Sequence, residues 1–230
     1  MLKTLLLVGL LLTGAGLTVR AYAANRSATG TMKTERGFVI HDRESAPEAT
    51  HEVLDWYQNQ FQFSPHLAAV MADSPALSRS YWQLQLNLQK HGTLSPPEDN
   101  IVQMAIAVEN ECQYCTAGHT MAGKMFFEAS DEELAALRME SKLPKAKFDA
   151  LRNFALHVAE SKGRVSDSEL QAFLGAGYTR QQSLDVVANV AAKVMSNYTN
   201  QLARTPLDPQ LEALAEGLPF REKREIHSEN

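Results

Sequence analysis

The sequence predicts an all-α protein, a single compact multi-helix domain that follows an N-terminal leader. Three observations carry this. From Pro47 onward apolar residues recur at spacings of three and four, no stretch sustains the alternation of a strand, and capping residues mark several helix starts. The chain has 230 residues, 44% hydrophobic and 21% charged, which is enough apolar mass for one sizeable core.

The helix starts come first. Ser95…Glu98, Ser130…Glu133, Ser166…Glu169 and Thr179…Gln182 each read as a capping box. In such a box the hydroxyl accepts from a backbone N–H and the longer side chain three residues on reaches back. Pro96 follows Ser95 at the first helical position, where a missing N–H costs nothing. Gly163 and Gly177 fall where helices should end. The helix bodies agree: Phe148, Leu151, Phe154, Ala155 and Val158 form one apolar stripe, and Leu184, Val187, Ala188, Ala191, Val194, Met195 and Tyr198 form another. Residues 101–108 are apolar nearly all round, as in a helix at the centre of a core. About eight helices are predicted. The domain should run from 37 to 210, after a small, polar linker at 24–36, and a polar tail should occupy 211–230.

The N-terminus has the layout of a secretory signal. Lys3 supplies a positive n-region, residues 5–19 an apolar h-region, and Ala21-Tyr22-Ala23 an A-x-A cleavage site. Export is therefore expected, with cleavage after Ala23, to a periplasmic or secreted location. The alternatives are an uncleaved anchor, or a cytoplasmic protein whose translation starts at Met32. Net charge is −5 with no basic stripe, which argues against a nucleic-acid partner.

Only two cysteines occur, Cys112 and Cys115. A bridge across so short a loop removes little unfolded-state entropy, so chemistry explains the pair better than stability does. They lie in Glu111-Cys112-Gln113-Tyr114-Cys115-Thr116-Ala117-Gly118-His119, with Asn110 a break after the preceding helix. If a new helix begins near Cys112, then Cys115 and His119 share a face four residues apart and Cys112 lies one turn earlier. A helix start favours thiolate over thiol. Lowering a thiol by two pKa units gains only about 3-fold at pH 7 once lost basicity is deducted. A positioned proton donor or acceptor is worth about 10² to 10⁴, so His119 should matter more. A metal site would need a fourth ligand beyond Cys112, Cys115 and His119, and c-type haem would need histidine where Thr116 stands. No cofactor is expected. The lone histidines 41, 51, 66, 91, 157 and 227 read as surface or satisfied core, Trp56 and Trp82 as core, and Asn197-Tyr198-Thr199-Asn200 as capping, with a polar contact near the site as the alternative.

These motifs resemble the carboxymuconolactone decarboxylase-like superfamily, in the branch typified by alkylhydroperoxidase D. The resemblance spans about Phe38 to Pro209 and includes the CxxCxxxH stretch, Ser74-Pro75-Ala76-Leu77, Gly92-Thr93-Leu94-Ser95-Pro96, Gly163-Arg164-Val165-Ser166, Ala176-Gly177-Tyr178-Thr179 and Ser196-Asn197-Tyr198-Thr199-Asn200. It implies an all-helical peroxidase in which Cys115 attacks a small peroxide and Cys112 resolves the sulfenic acid as a Cys112–Cys115 disulfide. His119 matches the proton-relaying histidine. A dithiol reductant, lipoyl-type or thioredoxin-like, would restore the thiols, and similar proteins form trimers or hexamers, so a homo-oligomer is implied. Two positions depart. The relay glutamate, twelve residues before Cys112, is Asn100, and the histidine some members carry before the second cysteine is Tyr114. Asn100 is no base; Glu109 or Glu111 could substitute. Three rivals stand beside this reading: a lactone decarboxylase, against which the CxxC argues; a general thiol–disulfide oxidoreductase, which export into an oxidising compartment favours; and a helical oligomer without catalysis.

Overall fold

The computed structural model describes residues 31–215. Among them are ten α-helices: α1 (His51–Phe61), α2 (His66–Met71), α3 (Pro75–His91), α4 (Pro96–Glu109), α5 (Gln113–Phe126), α6 (Asp131–Arg138), α7 (Ala146–Glu160), α8 (Asp167–Gly175), α9 (Arg180–Ala203) and α10 (Pro209–Ala215). The all-α expectation holds, with two more helices than the eight predicted. The expected leader, residues 1–23, and the first part of the linker lie outside the described residues.

The starts form for the reasons the sequence implies. Ser95, Ser166 and Thr179 complete reciprocal capping boxes at α4, α8 and α9. Ser130 supplies only the forward half, accepting from Glu133 N at 3.1 Å, because the Glu133 carboxylate is drawn toward Lys145 instead. Gly163 (φ +81) and Gly177 (φ +91) adopt the left-handed conformation after α7 and α8 that side-chain-bearing residues resist.

α4 is the hub, packing against α5, α6, α7 and α9. Residues 100–108 of it are all buried, as their near-continuous apolarity implies. The main core gathers Ile101, Met104, Leu134, Leu151, Phe154 and Val186 around an aromatic stack. Phe173 sits between Phe154 at 4.1 Å and Tyr178 at 4.6 Å, ring centre to ring centre. Phe173→Ala should therefore cost about 3–5 kcal/mol, measured as a lower denaturation midpoint with unchanged slope. A cost below about 1 kcal/mol would mean that the stack does not hold α8 on α7.

Three expectations are corrected. Residues 31–36 are not simply linker: Lys33 pairs with Val39 in an antiparallel bridge, and Ile40 packs on Ala69, Val70 and Ala203. The domain does not stop at 210, because α10 runs through the start of the expected tail and buries Leu211. The apolar stripe read on α9 faces largely outward, with Leu184 70% and Tyr198 57% exposed. The inward face of α9 is instead Val186, Asn189, Ala192, Lys193, Ser196, Asn197 and Asn200. A helix with a polar buried face needs a polar partner.

Candidate active site

That partner is the start of α5. α4 ends at Asn110, and Glu111 takes the left-handed conformation at φ +53. Cys112 N then donates to Ala107 O at 2.8 Å and Glu111 N to Val108 O at 2.9 Å, which is a Schellman closure. A glutamate in place of the usual glycine stores backbone strain at the turn that aims Cys112. Cys112 is at once the last residue of this closure and the N-cap of α5. Its Sγ accepts from Cys115 N at 3.4 Å, and its carbonyl accepts from Thr116 N and Oγ1. Both cysteines are free thiols, 2% and 4% exposed.

α9 closes the site from the other side. Asn200 Nδ2 donates to Cys115 Sγ at 3.2 Å and lies 3.9 Å from Cys112 Sγ. Ser196 Oγ is 4.0 Å from Cys115 Sγ. One helical turn earlier the Lys193 ammonium, 2% exposed, lies 2.8 Å from His119 Nε2. An ammonium can only donate, so Nε2 accepts and the ring proton sits on Nδ1. There it meets Asn100 Oδ1 at 2.9 Å, while Asn100 Nδ2 donates to the His119 carbonyl at 3.3 Å. The structure thus gives Asn100 a task the sequence did not reveal. It cannot take a proton, but its two hydrogen bonds hold the histidine in one tautomer and one orientation.

The electrostatics follow from this packing. Burial pushes the Cys115 thiol up, but the hydrogen bond from Cys112, the Lys193 charge and the amides of Asn200 and Asn197 outweigh it and bring it down to about 5. The hydrogen bond to Cys115, with burial behind it, drives Cys112 well above the usual thiol range. One sulfur is therefore the thiolate and the other its thiol donor. Burial and then the Lys193 charge push His119 well below the usual histidine range, leaving the ring neutral. Burial pulls Lys193 down, yet the opposing charge of Cys115 raises it overall. The cation of the site is the lysine, not the histidine.

Tyr114, which stands where some relatives carry histidine, faces away from the sulfurs. Its hydroxyl donates to Asp208 Oδ2 and accepts from Leu67 N at 3.2 Å, and His66 N donates to Asp208 Oδ1 at 3.0 Å. This latch anchors the chain just before α10. α10 then lies along α5, with Leu211 packed among Cys112, Tyr114 and Cys115, and Arg138 Nη2 donates to Leu214 O at 2.9 Å. The dithiol sits under an apolar cover. A cavity of about 100 Å³ on the far side of Asn100, lined by Pro97, Ile101, Leu134 and Phe148, includes neither cysteine.

Cys112, Cys115 and His119 were legible as candidates, and the structure places the two cysteines at the start of α5 with His119 one turn beyond Cys115, bonded to Asn100 and Lys193. Lys193 and Ser196 were not; Asn197 and Asn200 read by default as capping, but α9 continues to Ala203 and the alternative reading, a polar contact near the site, is the one the structure bears out. The only signals were a lysine inside an otherwise apolar stretch and amides at helical spacing.

Residues 75–161 match the model of the carboxymuconolactone decarboxylase family. No curated protein matches the chain in sequence. Among solved structures, an uncharacterized peroxidase-related protein with an alkylhydroperoxidase AhpD core from Ralstonia eutropha JMP134 is 18% identical, with a TM-score of 0.68, over 76% of this chain and 94% of that one. A peroxidase-related protein from Silicibacter sp. TM1040 is 15% identical, with a TM-score of 0.65, over 77% and 93%. The debrominase Bmp8, a cysteine-to-alanine variant in complex with 2,3,4-tribromopyrrole, is 14% identical, with a TM-score of 0.66, over 82% and 100%. At these identities the likeness is one of fold.

Proposed function

For a chain whose residues 75–161 match the model of the carboxymuconolactone decarboxylase family and whose fold is similar to that of alkylhydroperoxidase-like proteins, we propose the function of a dithiol peroxidase. The observation that carries it is the pairing of a Cys115 thiolate with a Cys112 thiol beneath Lys193 and Asn200. The Cys115 thiolate attacks the outer oxygen of a peroxide; an S–O bond forms and the O–O bond breaks. The sulfur is oxidised by two electrons, and the peroxide leaves as alcohol or water after taking a proton. Lys193, hydrogen-bonded to His119 Nε2, is the buried group with a proton to give. Cys112 then attacks the sulfenic sulfur, expels water and closes the disulfide, which a dithiol donor reduces. Cysteines only 2% and 4% exposed favour a small peroxide over a bulky one.

One observation favours a second reading. A low-pKa cysteine paired with a high-pKa one also suits a thiol–disulfide oxidoreductase. The cover of α10 weighs against that, because a protein disulfide must reach the sulfur it exchanges with. The Bmp8 complex adds halogenated pyrroles as a class to assay, since a soft thiolate can attack halogen as well as oxygen. The outer stripe of α9, with Leu184, Val187, Tyr198 and Leu202 exposed, supports assembly of several copies.

The test is consumption of hydrogen peroxide and tert-butyl hydroperoxide by the purified protein with dihydrolipoamide or a thioredoxin as donor. Both thiols should disappear together on peroxide treatment and return with dithiothreitol. Two titratable thiols persisting after excess peroxide would sink the proposal. Consumption of tribromopyrrole without peroxide turnover would replace it with dehalogenation.

A further inference from the structure

The inward face of α9 carries more hydrogen-bond donors than the reduced dithiol uses. Lys193, Ser196, Asn197 and Asn200 recur there at helical spacing, all 5% exposed or less. Asn110 Nδ2 donates to Asn197 Oδ1 at 2.9 Å. In that arrangement Nδ2 is the end of the Asn197 amide turned into the protein. Nδ2 is buried and makes no hydrogen bond of ordinary length among the described residues. Interiors seldom leave such a donor idle, and those that do invite an explanation. Asn197 directly follows Ser196, whose Oγ is 4.0 Å from Cys115 Sγ, and precedes Asn200 by about one turn on the same buried face, which puts this N–H on the side of that sulfur without a close bond to it. Asn200 Nδ2 stands at the same sulfur, 3.2 Å away.

We propose that the side-chain N–H groups of Asn197 and Asn200 form the binding site for the oxygen that Cys115 takes from a peroxide, through the transition state and then as the sulfenate. The proposal rests on the dithiol-peroxidase reading and adds the residues that contact the reacting oxygen. As the Cys115 lone pair forms the S–O bond and the O–O bond breaks, negative charge spreads over both oxygens. The departing oxygen takes its proton from Lys193. The transferred oxygen stays on sulfur, loses its own proton to solvent or base, and carries the charge that two aligned amides stabilise. Reprotonation and attack by Cys112 release it as water. Donors fixed before the reaction need not reorganise during it, which is why the idle Nδ2 is tolerated in the reduced protein.

Iodoacetamide and hydrogen peroxide separate an oxygen-binding role from a thiolate-stabilising one. Alkylation needs the thiolate but transfers no oxygen. Both rates are to be measured for Cys115 in a Cys112→Ser background of the full chain, at a pH where the thiolate is fully formed. Asn197→Ala should lower the peroxide rate about 10²-fold, the scale for one donor to a developing oxyanion, and change alkylation by less than about 3-fold. Should Asn197→Ala not fold, Asn197→Leu keeps the side-chain length without adding a charge or a donor, and is read the same way. Equal loss of both rates, or retention of both, overturns the oxygen site while leaving the peroxidase reading intact. A parent protein inert to peroxide but alkylated normally overturns both.

Discussion

Serine in place of Cys115 should abolish peroxide consumption, whereas serine in place of Cys112 should leave one round of oxidation that stops at a sulfenic acid on Cys115. The asymmetry has a structural origin. Cys115 is the sulfur that receives Asn200 Nδ2 at 3.2 Å and the influence of Lys193, and its thiol falls to about 5. Cys112 is held well above the usual range by its hydrogen bond to Cys115 and by burial, so it is a poor first nucleophile. Once Cys115 is oxidised that hydrogen bond is gone, and Cys112, at the N-cap of α5 with Sγ beside Cys115 N, is placed to attack. Dimedone labelling and intact mass read the outcome. Label on Cys112 in Cys115→Ser, with none on Cys115 in Cys112→Ser, would reverse the roles.

The second large effect should come from Lys193→Met, which keeps most of the side-chain volume and removes the buried charge. In the natural protein the thiolate persists through neutrality, and the rate should fall only as pH approaches about 5. Removing a cation disfavours the anion, so the thiol pKa of the variant rises, to about 8.5 or above given the burial of the site. At pH 7 that lowers the thiolate fraction about 30-fold, while the more basic sulfur regains a similar factor at a Brønsted slope near 0.4 to 0.5. The two nearly cancel. At pH 5.5 the thiolate fraction falls by nearly 10³, and a net loss of about 20-fold survives. The expected result is thus a changed pH profile, falling tenfold per unit below about 8.5 instead of staying flat to about 6. On top of this changed profile the rate at pH 7 should drop by about 10² or more, because Lys193 also delivers the proton; a rate kept at pH 7 would leave Lys193 only to hold the thiolate. An unchanged profile would show that the amides alone lower Cys115.

Half of this site was legible in the sequence and half was not, for a definite reason. Cys112, Cys115 and His119 lie within one short segment, and helical spacing alone puts them on one face. Their partners arrive from α9, some 75 to 90 residues away, and single-sequence periodicity carries no information about which helix meets which. α9 also misleads in a particular way. Its apolar stripe, the feature that marks a buried face, points outward in the isolated chain, while the buried face is polar because it serves the sulfurs. The capped helices were found because hydroxyl and carboxylate pairs act locally. α1 and α2 were harder, since neither begins with a side-chain cap and α1 ends on Gln62 in the left-handed conformation instead of on glycine. Asn100 read as the loss of a base, because only its distance to His119 reveals what it does.

The buried ammonium of Lys193 also makes the two oxidation states of the pair unequal as electrochemical species. In the dithiol form it faces the Cys115 thiolate, and the two charges compensate in the interior. Disulfide formation removes the anion and leaves a cation under the apolar cover of α10. Stranding one member of a buried ion pair costs about 3–5 kcal/mol when nothing else relaxes, equivalent to about 60–110 mV for a two-electron couple. The Cys112–Cys115 couple is therefore shifted toward the reduced side, and its disulfide is an electron acceptor that weak donors can discharge.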